Sequence, residues 1–130
     1  MNHRFGLFDG VLIKDNHITA CGGVTVAIQK ARANAHHLLK IEVEVADLEQ
    51  TQEALDAGAD VIMLDNMDLE AMARALEMIS GRALVEVSGN VTRSQLTELA
   101  GIGVDIISMG ALTHSAVAVD LSMKIEGEIA

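Results

Sequence analysis

Four of the five short apolar runs in this sequence hand over to a polar residue or a glycine. Val11-Leu12-Ile13 runs into Lys14, and Val61-Ile62-Met63-Leu64 ends at Asp65. Leu84-Val85-Glu86-Val87 ends at Ser88-Gly89-Asn90, and Ile106-Ile107-Ser108-Met109 ends at Gly110. The remaining run, Ile41-Glu42-Val43-Glu44-Val45, places two carboxylates on alternate positions. Residues of these types support a definite chemistry. His3, Arg4 and Lys14 make a cationic corner suited to carboxylate or phosphate groups. Glu44 and Asp65 make an acidic corner suited to sugar hydroxyls or to Mg²⁺. The glycine turns Ser88-Gly89-Asn90 and Met109-Gly110-Ala111 offer backbone N–H groups that cradle a phosphate. A phosphorylated sugar satisfies all three corners. Each feature also has a plainer reading: a solvated strand-end lysine, an edge strand with an exposed acidic face, a helix cap at Asp65-Asn66, and ordinary turns at the glycines.

These residues converge only if the runs are parallel strands ending on one rim. The pattern predicts strands over 11–13, 41–45, 61–64, 84–87 and 106–109, alternating with helices over 24–39, 48–57, 69–79 and 94–100. Asp47 with Gln50, and Thr92 with Gln95, have the spacing of capping boxes, and Gly58 and Gly101 fall where helices should stop. Alternating strands and helices make parallel βα units, and in such folds ligands bind at the carboxyl ends of the strands. In IEVEV, period-two geometry puts the valines on one face and Glu42 and Glu44 on the other. The valines should pack on helices, which turns the carboxylates towards a lumen or cleft.

The segment 53–62 is echoed at 98–107, with Glu, Gly, Asp and Ile recurring at an offset of 45 residues, or two βα units. A β/α barrel repeats in this way, and so does a doubly wound open sheet. Five strands are too few for a closed eight-stranded barrel. The predicted fold class is therefore α/β: a partial, parallel, TIM-like β/α barrel of five βα units.

Composition narrows the setting. The 130 residues carry a net charge of −10 and are 50% hydrophobic, with 2% aromatics and no proline or tryptophan. The core must be built from Val, Ile, Leu, Met and Ala. The acidic balance argues against a nucleic-acid surface, which needs a basic stripe. A single cysteine, Cys21, fits a reducing compartment. No signal-like or membrane-spanning apolar run is present, so a cytoplasmic protein is the expectation. His36-His37 reads as a surface pair, His17 and His114 as hydrogen-bonded loop residues, and the Met-rich stretch 67–78 as a core stripe.

The stretches NHRFGLFDGVLIKDNHI, IEVEVADLEQ, ALDAGADVIMLDNM, LVEVSGNVT and GVDIISMGALTHSAVAVDLSMKI, in this order, resemble the quinolinate phosphoribosyltransferase family. The resemblance implies transfer of a phosphoribosyl group from phosphoribosyl pyrophosphate to quinolinate. The products are nicotinate mononucleotide, pyrophosphate and CO₂, on the route to NAD. It implies catalytic roles for Lys14, Glu44 and Asp65. It also implies substrate contacts from His3, Arg4, Lys14, Glu44, Asp65, Ser88, Gly89, Asn90, Gly110 and His114. Mg²⁺ would enter bound to the substrate, near Glu44 and Asp65, with no protein ligand assigned. Residues 1–130 would be the C-terminal portion of the barrel, lacking the family's N-terminal sandwich domain and early strands. Turnover would then require that missing half, and the protein would work as a homo-oligomer. Val117 stands where the family commonly has proline, and Asn90 where it often has glycine. The alternative is a non-catalytic phosphate- or nucleotide-binding barrel fragment.

Overall fold

The IEVEV alternation sorts the strand's two faces as expected. In the computed structural model, which describes residues 4–115 and 117–127, this strand is β2 (Ile41–Val45), whose Ile41, Val43 and Val45 are fully buried. They pack in one core with Val24, Ala27 and Ile28 of α2 (Val24–Asn34) and Ala54 of α3 (Leu48–Asp56). Ile62 and Leu64 of β3 (Val61–Asp65), Met72 and Ala75 of α4 (Leu69–Ile79), and Val85 and Val87 of β4 (Leu84–Ser88) continue it. Leu99 of α5 (Leu96–Gly101) closes its far end. Fully burying one such aliphatic side chain is worth roughly 1.5–3 kcal/mol. The core thus fixes which residues of each strand can face anything else.

The sheet is wholly parallel, in the order β1-β2-β3-β4-β5, with β1 at Val11–Ile13 and β5 at Ile106–Ile107. A doubly wound sheet reverses its strand order at a switch point. Here the order never reverses, and right-handed crossovers then leave all helices on one side. The result is an arc of a β/α barrel, covered by helices outside and open inside. Along the inner face, the register sets Leu12 beside Glu42, Glu42 beside Val61, and Val61 beside Leu84. The next inner row aligns Glu44, Met63, Glu86 and Ile106. Nearest the rim, Asp65 stands beside Ser88.

Several elements differ from the sequence reading. A seven-residue helix, α1 (Asp15–Cys21), follows β1 directly, and none of its residues is fully buried. It has no apolar stripe to announce it and is made by its ends. Lys14 is its N-cap, His17 Nδ1 accepts the Lys14 N–H at 2.9 Å, and Gly22 closes it in the left-handed region. His17 is therefore a helix-capping residue, and Cys21 is the partly buried last residue of α1. Helix α2 stops at Asn34, because Ala35 is extended. Strand β5 has two residues; its ladder ends where the Ser108 N–H meets the Val87 carbonyl at 2.9 Å. After Gly110 the described residues make a 3₁₀ turn, Gly110–Leu112, and no α-helix. Gly101 is the last residue of α5, and the left-handed position that ends this unit is Gly103. The two expected caps hold. Asp47 Oδ1 accepts the Gln50 N–H at 2.8 Å, and Gln95 Oε1 accepts the Thr92 N–H at 2.8 Å.

The echo at 45 residues has a structural purpose. Asp60 Oδ2 accepts the Ile41 N–H at 2.8 Å, and Asp105 Oδ2 accepts the Val85 N–H at 2.8 Å. Each aspartate precedes its own strand and caps a backbone donor of the neighbouring one. The reciprocal bonds, Asp60 N–H to Ile41 carbonyl and Asp105 N–H to Val85 carbonyl, complete two clamps at the amino ends of the strands. Arg32 reinforces the first, with Nη2 at 2.9 Å from Asp60 Oδ2 and 2.7 Å from the Gly58 carbonyl. Beyond β5, residues 117–127 form no regular element, and Val117, Val119, Leu121, Met123 and Ile125 are exposed.

Replacing Asp105 by Ala strands the Val85 N–H and should cost about 1–3 kcal/mol. Asp60→Ala should cost more, since it also strips Arg32 of its partner. Urea unfolding of the two variants checks this; equal midpoints for both and the parent would deny the clamps any role in stability.

Candidate functional site

Four of the strand ends build the polar rim. From the end of β1, the Lys14 ammonium reaches Glu44 Oε2 on β2 at 3.7 Å, with the lysine side chain 55% exposed and the glutamate 18%. Because its backbone serves as the N-cap of α1, the point from which the Lys14 side chain leaves the chain is fixed at the end of β1. Glu44 and Asp65 both line a cavity of about 250 Å³ at the ends of β2 and β3. Asp15 and Thr19 of α1 and Gln50 of α3 complete its polar wall. The sequence reading placed Glu44 and Asp65 together but missed the contribution of α1, because α1 itself was not foreseen.

The next section of rim is organised by Asn66. Its backbone is left-handed at φ 50°, and its N–H donates to the Ser88 carbonyl at 3.3 Å. Its Nδ2 donates to Asp65 Oδ2 at 2.8 Å, which orients that carboxylate. Its Oδ1 accepts the Asn90 N–H at 3.4 Å and Asn90 Nδ2 at 3.2 Å. Asp65 and Asn66 therefore do not cap the following helix; Asp68 does, accepting the Ala71 N–H at 2.8 Å. Gly89 is required here twice over. Its φ is +99°, and a Cβ would lie 2.7 Å from Asn66 Cγ. The chain turns this tightly only without a side chain.

Gly110 meets a parallel constraint, since the His114 ring occupies the space a Cβ would need. The Gly110 carbonyl accepts the Thr113 and His114 N–H groups at 3.0 Å each, and His114 Nδ1 shares a hydrogen bond with Ser115 Oγ at 2.9 Å. A second cavity, of about 360 Å³, touches Ser88 and Asn90 from the helix side. Its walls include Met67, Leu69, Met72, Val91 and Leu99. These offer no cation, so this cavity is less suited to an anion than the rim.

The cationic corner is only partly assembled. Arg4 is exposed and makes no ion pair to Glu44 among the described residues; it lies near Asp9. The Asp9 carboxylate is held below its usual range, first by the Phe5 N–H at 2.6 Å, with the Gly6 N–H and the Arg4 charge contributing. His3 lies outside the described residues. The His36 and His37 rings stack at 4.3 Å, and no group of three metal-ligating side chains occurs among the described residues.

Glu42, which the IEVEV alternation turns towards the lumen, is partly buried there. Glu42 Oε1 is buried without a hydrogen-bond partner among the described residues. Burial pushes its carboxyl up to about 7, reinforced by the Glu86 charge, a hydrogen bond shared with Glu86, and the Glu44 charge. Ser108 Oγ donates to Glu86 Oε1. Barrel layers are filled from alternate strands, and this is what brings Glu42 of β2 to Glu86 of β4 across the intervening β3.

The profile of the family described as quinolinate phosphoribosyl transferase, C-terminal domain, matches residues 1–124. The chain is similar to the probable nicotinate-nucleotide pyrophosphorylase [carboxylating] of Bacillus subtilis, at 47% identity over 95% of this chain and 43% of that one. It is 41% identical to the human nicotinate-nucleotide pyrophosphorylase [carboxylating], over 95% of this chain and 43% of the human one. Among solved structures it resembles NadC from Streptococcus pyogenes, with a TM-score of 0.83 at 48% identity, covering 95% of this chain and 43% of that one. The chain thus spans less than half the length of these relatives. No helix among the described residues is long and apolar enough to cross a membrane.

Two outcomes follow from this geometry. Gly89→Ala should destabilise by about 1–2 kcal/mol through its left-handed backbone, and more where the new Cβ meets Asn66. In a Gly89→Ala/Asn66→Ala double variant the excess should shrink, and additive losses in thermal melts would contradict the contact. Glu42 ties stability to pH. Its carboxyl is raised in the folded state, so its favourable contribution is complete below the unfolded value of 4.5 and is lost as pH rises through about 7. Partial solvent contact limits the effect to the order of 1 kcal/mol. Urea midpoints of the parent should fall across this window relative to Glu42→Gln, and parallel profiles would refute the assignment.

Proposed function

This chain belongs to the quinolinate phosphoribosyl transferase family, and we propose that it supplies the barrel side of a site that moves a phosphoribosyl group from phosphoribosyl pyrophosphate to quinolinate. Nicotinate mononucleotide, pyrophosphate and CO₂ are the products. The observation that carries this reading is the Lys14–Glu44 contact of 3.7 Å, set beside Asp65 on one rim. It joins a cation for an anionic substrate to carboxylates for a sugar, on a chain that shares the family's profile.

The residues divide the work by charge. Lys14, with His3 and Arg4, receives the carboxylates of the acceptor or the diphosphate of the donor. Glu44 and Asp65 accept hydrogen bonds from the ribose hydroxyls. As the carbon–oxygen bond to the diphosphate breaks, the same carboxylates stabilise the positive character that develops on the ribose carbon. Ser88, Gly89 and Asn90, with Gly110 and His114, surround the 5′-phosphate. At Gly89 and Gly110 the absent Cβ lets the Asn66 and His114 side chains close against the two turns. The ring nitrogen of quinolinate then attacks the ribose carbon, and the ribosylated ring withdraws electrons so that the neighbouring carboxylate leaves as CO₂ and the ring carbon takes up a proton from solvent.

Mg²⁺ fits this rim as an ion carried by the substrate. Glu44 and Asp65 face the cavity, but no three ligating side chains converge among the described residues, and Mg²⁺ retains waters and phosphate oxygens readily. Bound to the diphosphate, with Glu44 and Asp65 nearby, the ion would offset charge on the leaving group. We assign turnover to this chain joined to the portion its relatives carry in addition. The sheet edges at β1 and β5, unpaired among the described residues, give such a partner, or a second copy, a surface to cover.

Isothermal titration with nicotinate mononucleotide tests the reading. The parent should bind, and a Lys14→Ala/Asp65→Ala variant should lose at least about tenfold in affinity, from charge-assisted hydrogen bonds. A cooperatively melting parent that binds nothing would overturn it. Turnover should then appear on adding the N-terminal portion of a relative. Binding without product under those conditions would instead identify a phosphate- or nucleotide-binding module.

A further inference from the structure

The chain beyond β5 carries a pattern that neither the sheet nor the candidate site uses. From Val117 to Ile125 every odd position is aliphatic: Val117, Val119, Leu121, Met123 and Ile125. The even positions from 118 to 126 are Ala118, Asp120, Ser122, Lys124 and Glu126. Strict alternation of this kind marks a β-strand with one buried face. Yet the segment forms no regular element, and its five aliphatic side chains are between 75% and 93% exposed. A lone strand gains nothing from such a pattern; it needs a neighbour to pair with and cover it. We propose that 117–126 is a pairing strand whose partner is the same strand of a second copy of this chain, aligned antiparallel with Asp120 opposite Lys124. This pairing draws on no residue of the rim and stands apart from the proposed reaction.

Length selects the partner. The unpaired sheet edges among the described residues are β1, with three residues, and β5, with two. Neither can satisfy the backbone groups of a segment that runs from Val117 to Glu126. A second 117–126 matches it from end to end. Charge selects the orientation. In a parallel in-register pair Asp120 would lie beside Asp120 and Lys124 beside Lys124, so like charges would meet. In the antiparallel pair the two-fold axis passes between the two Ser122 residues, and the Asp120–Lys124 pair is made twice.

The apolar face agrees with the same register. It sets Val119 opposite Ile125 and Leu121 opposite Met123, each pair again made twice. Ala118 falls opposite Glu126, and Val117 opposite Gly127, so no like charges meet. Sliding one strand by two residues in one direction brings Asp120 opposite Glu126. Sliding it by two in the other sets Asp120 opposite Ser122 and Lys124 opposite Ala118, and both ion pairs are lost. A slide of one residue places aliphatic opposite polar side chains throughout. One register alone satisfies both faces. It gathers the aliphatic side chains of both copies on one side of a ribbon, where a second ribbon can stack, so the assembly is a dimer or a pair of dimers.

Sedimentation velocity of the chain over a range of concentrations should show dimers or tetramers. Asp120→Lys and Lys124→Asp should each weaken association about tenfold, because two attractive pairs become two repulsive ones. The Asp120→Lys/Lys124→Asp double variant restores both pairs with the signs exchanged and should associate like the parent. Both positions are exposed, so the melts of dilute parent and variants should coincide. Hydrogen exchange gives a second reading: amides of 117–126 should gain protection as the parent is concentrated, and less so in either single variant. A monomeric parent overturns the proposal. So does an oligomer that ignores the single reversals, a double variant as weak as the singles, or an oligomer whose 117–126 amides exchange freely. A monomer whose segment is protected only on adding the N-terminal portion of a relative overturns it as well, and assigns the strand to that portion.

Discussion

A strand sealed by helices on one face has only its alternate residues left to offer the other. That steric rule governs the polar half of this molecule. Ile41, Val43 and Val45 must face the helices because nothing else on β2 can fill that core. Glu42 and Glu44 are then forced inward, whatever their cost there. The same rule carries Glu86 into the lumen from β4 and sets Asp65 beside Ser88 at the rim. Packing chooses the register, and register chooses which charges meet.

The inner face is consequently graded. Near the amino ends of the strands lie Leu12, Val61 and Leu84, with Glu42 among them. Above them come Glu44 and Glu86 with Met63 between, and at the top the open rim of Asp65, Ser88 and the glycine turns. Polarity increases along the strands, so the inner face passes from aliphatic side chains at the amino ends to polar groups at the rim. The opposite rim carries the Asp60 and Asp105 clamps, whose task is to hold strands together. The clamps and the candidate site thereby lie at opposite ends of one sheet, the arrangement general in complete β/α barrels.

What could be read in advance depended on how local the cause was. The faces of β2 were legible because two valines and two glutamates alternate without exception. The caps at Asp47 and Thr92 were legible because their partners lie three residues away. Helix α1 was not, since its residues bury nothing fully and no periodicity marks it. The repeat containing Asp60 and Asp105 was visible, but its purpose was hidden because each aspartate acts on a neighbouring strand. Asn66 looked like a helix cap and proved to be the centre of the β3–β4 rim. The meeting of Glu42 with Glu86 was the least legible of all. It depends on the stagger between strands that are not even adjacent, which no window along the chain contains.

The unbroken strand order has a kinetic side. Every strand pairs with the one that follows it in sequence, a single βα unit away. Each pairing closes a loop of similar, moderate size, so no single step carries a large entropic barrier. Such an arc can grow by accretion from any nucleated unit, much as solenoid repeats do. A chain organised this way is also divisible. A seam placed between two units interrupts one ladder and leaves the others whole, whereas a seam within a unit would dismantle a strand and its covering helix together. The boundary between units is therefore the natural place for halves of such barrels to be exchanged.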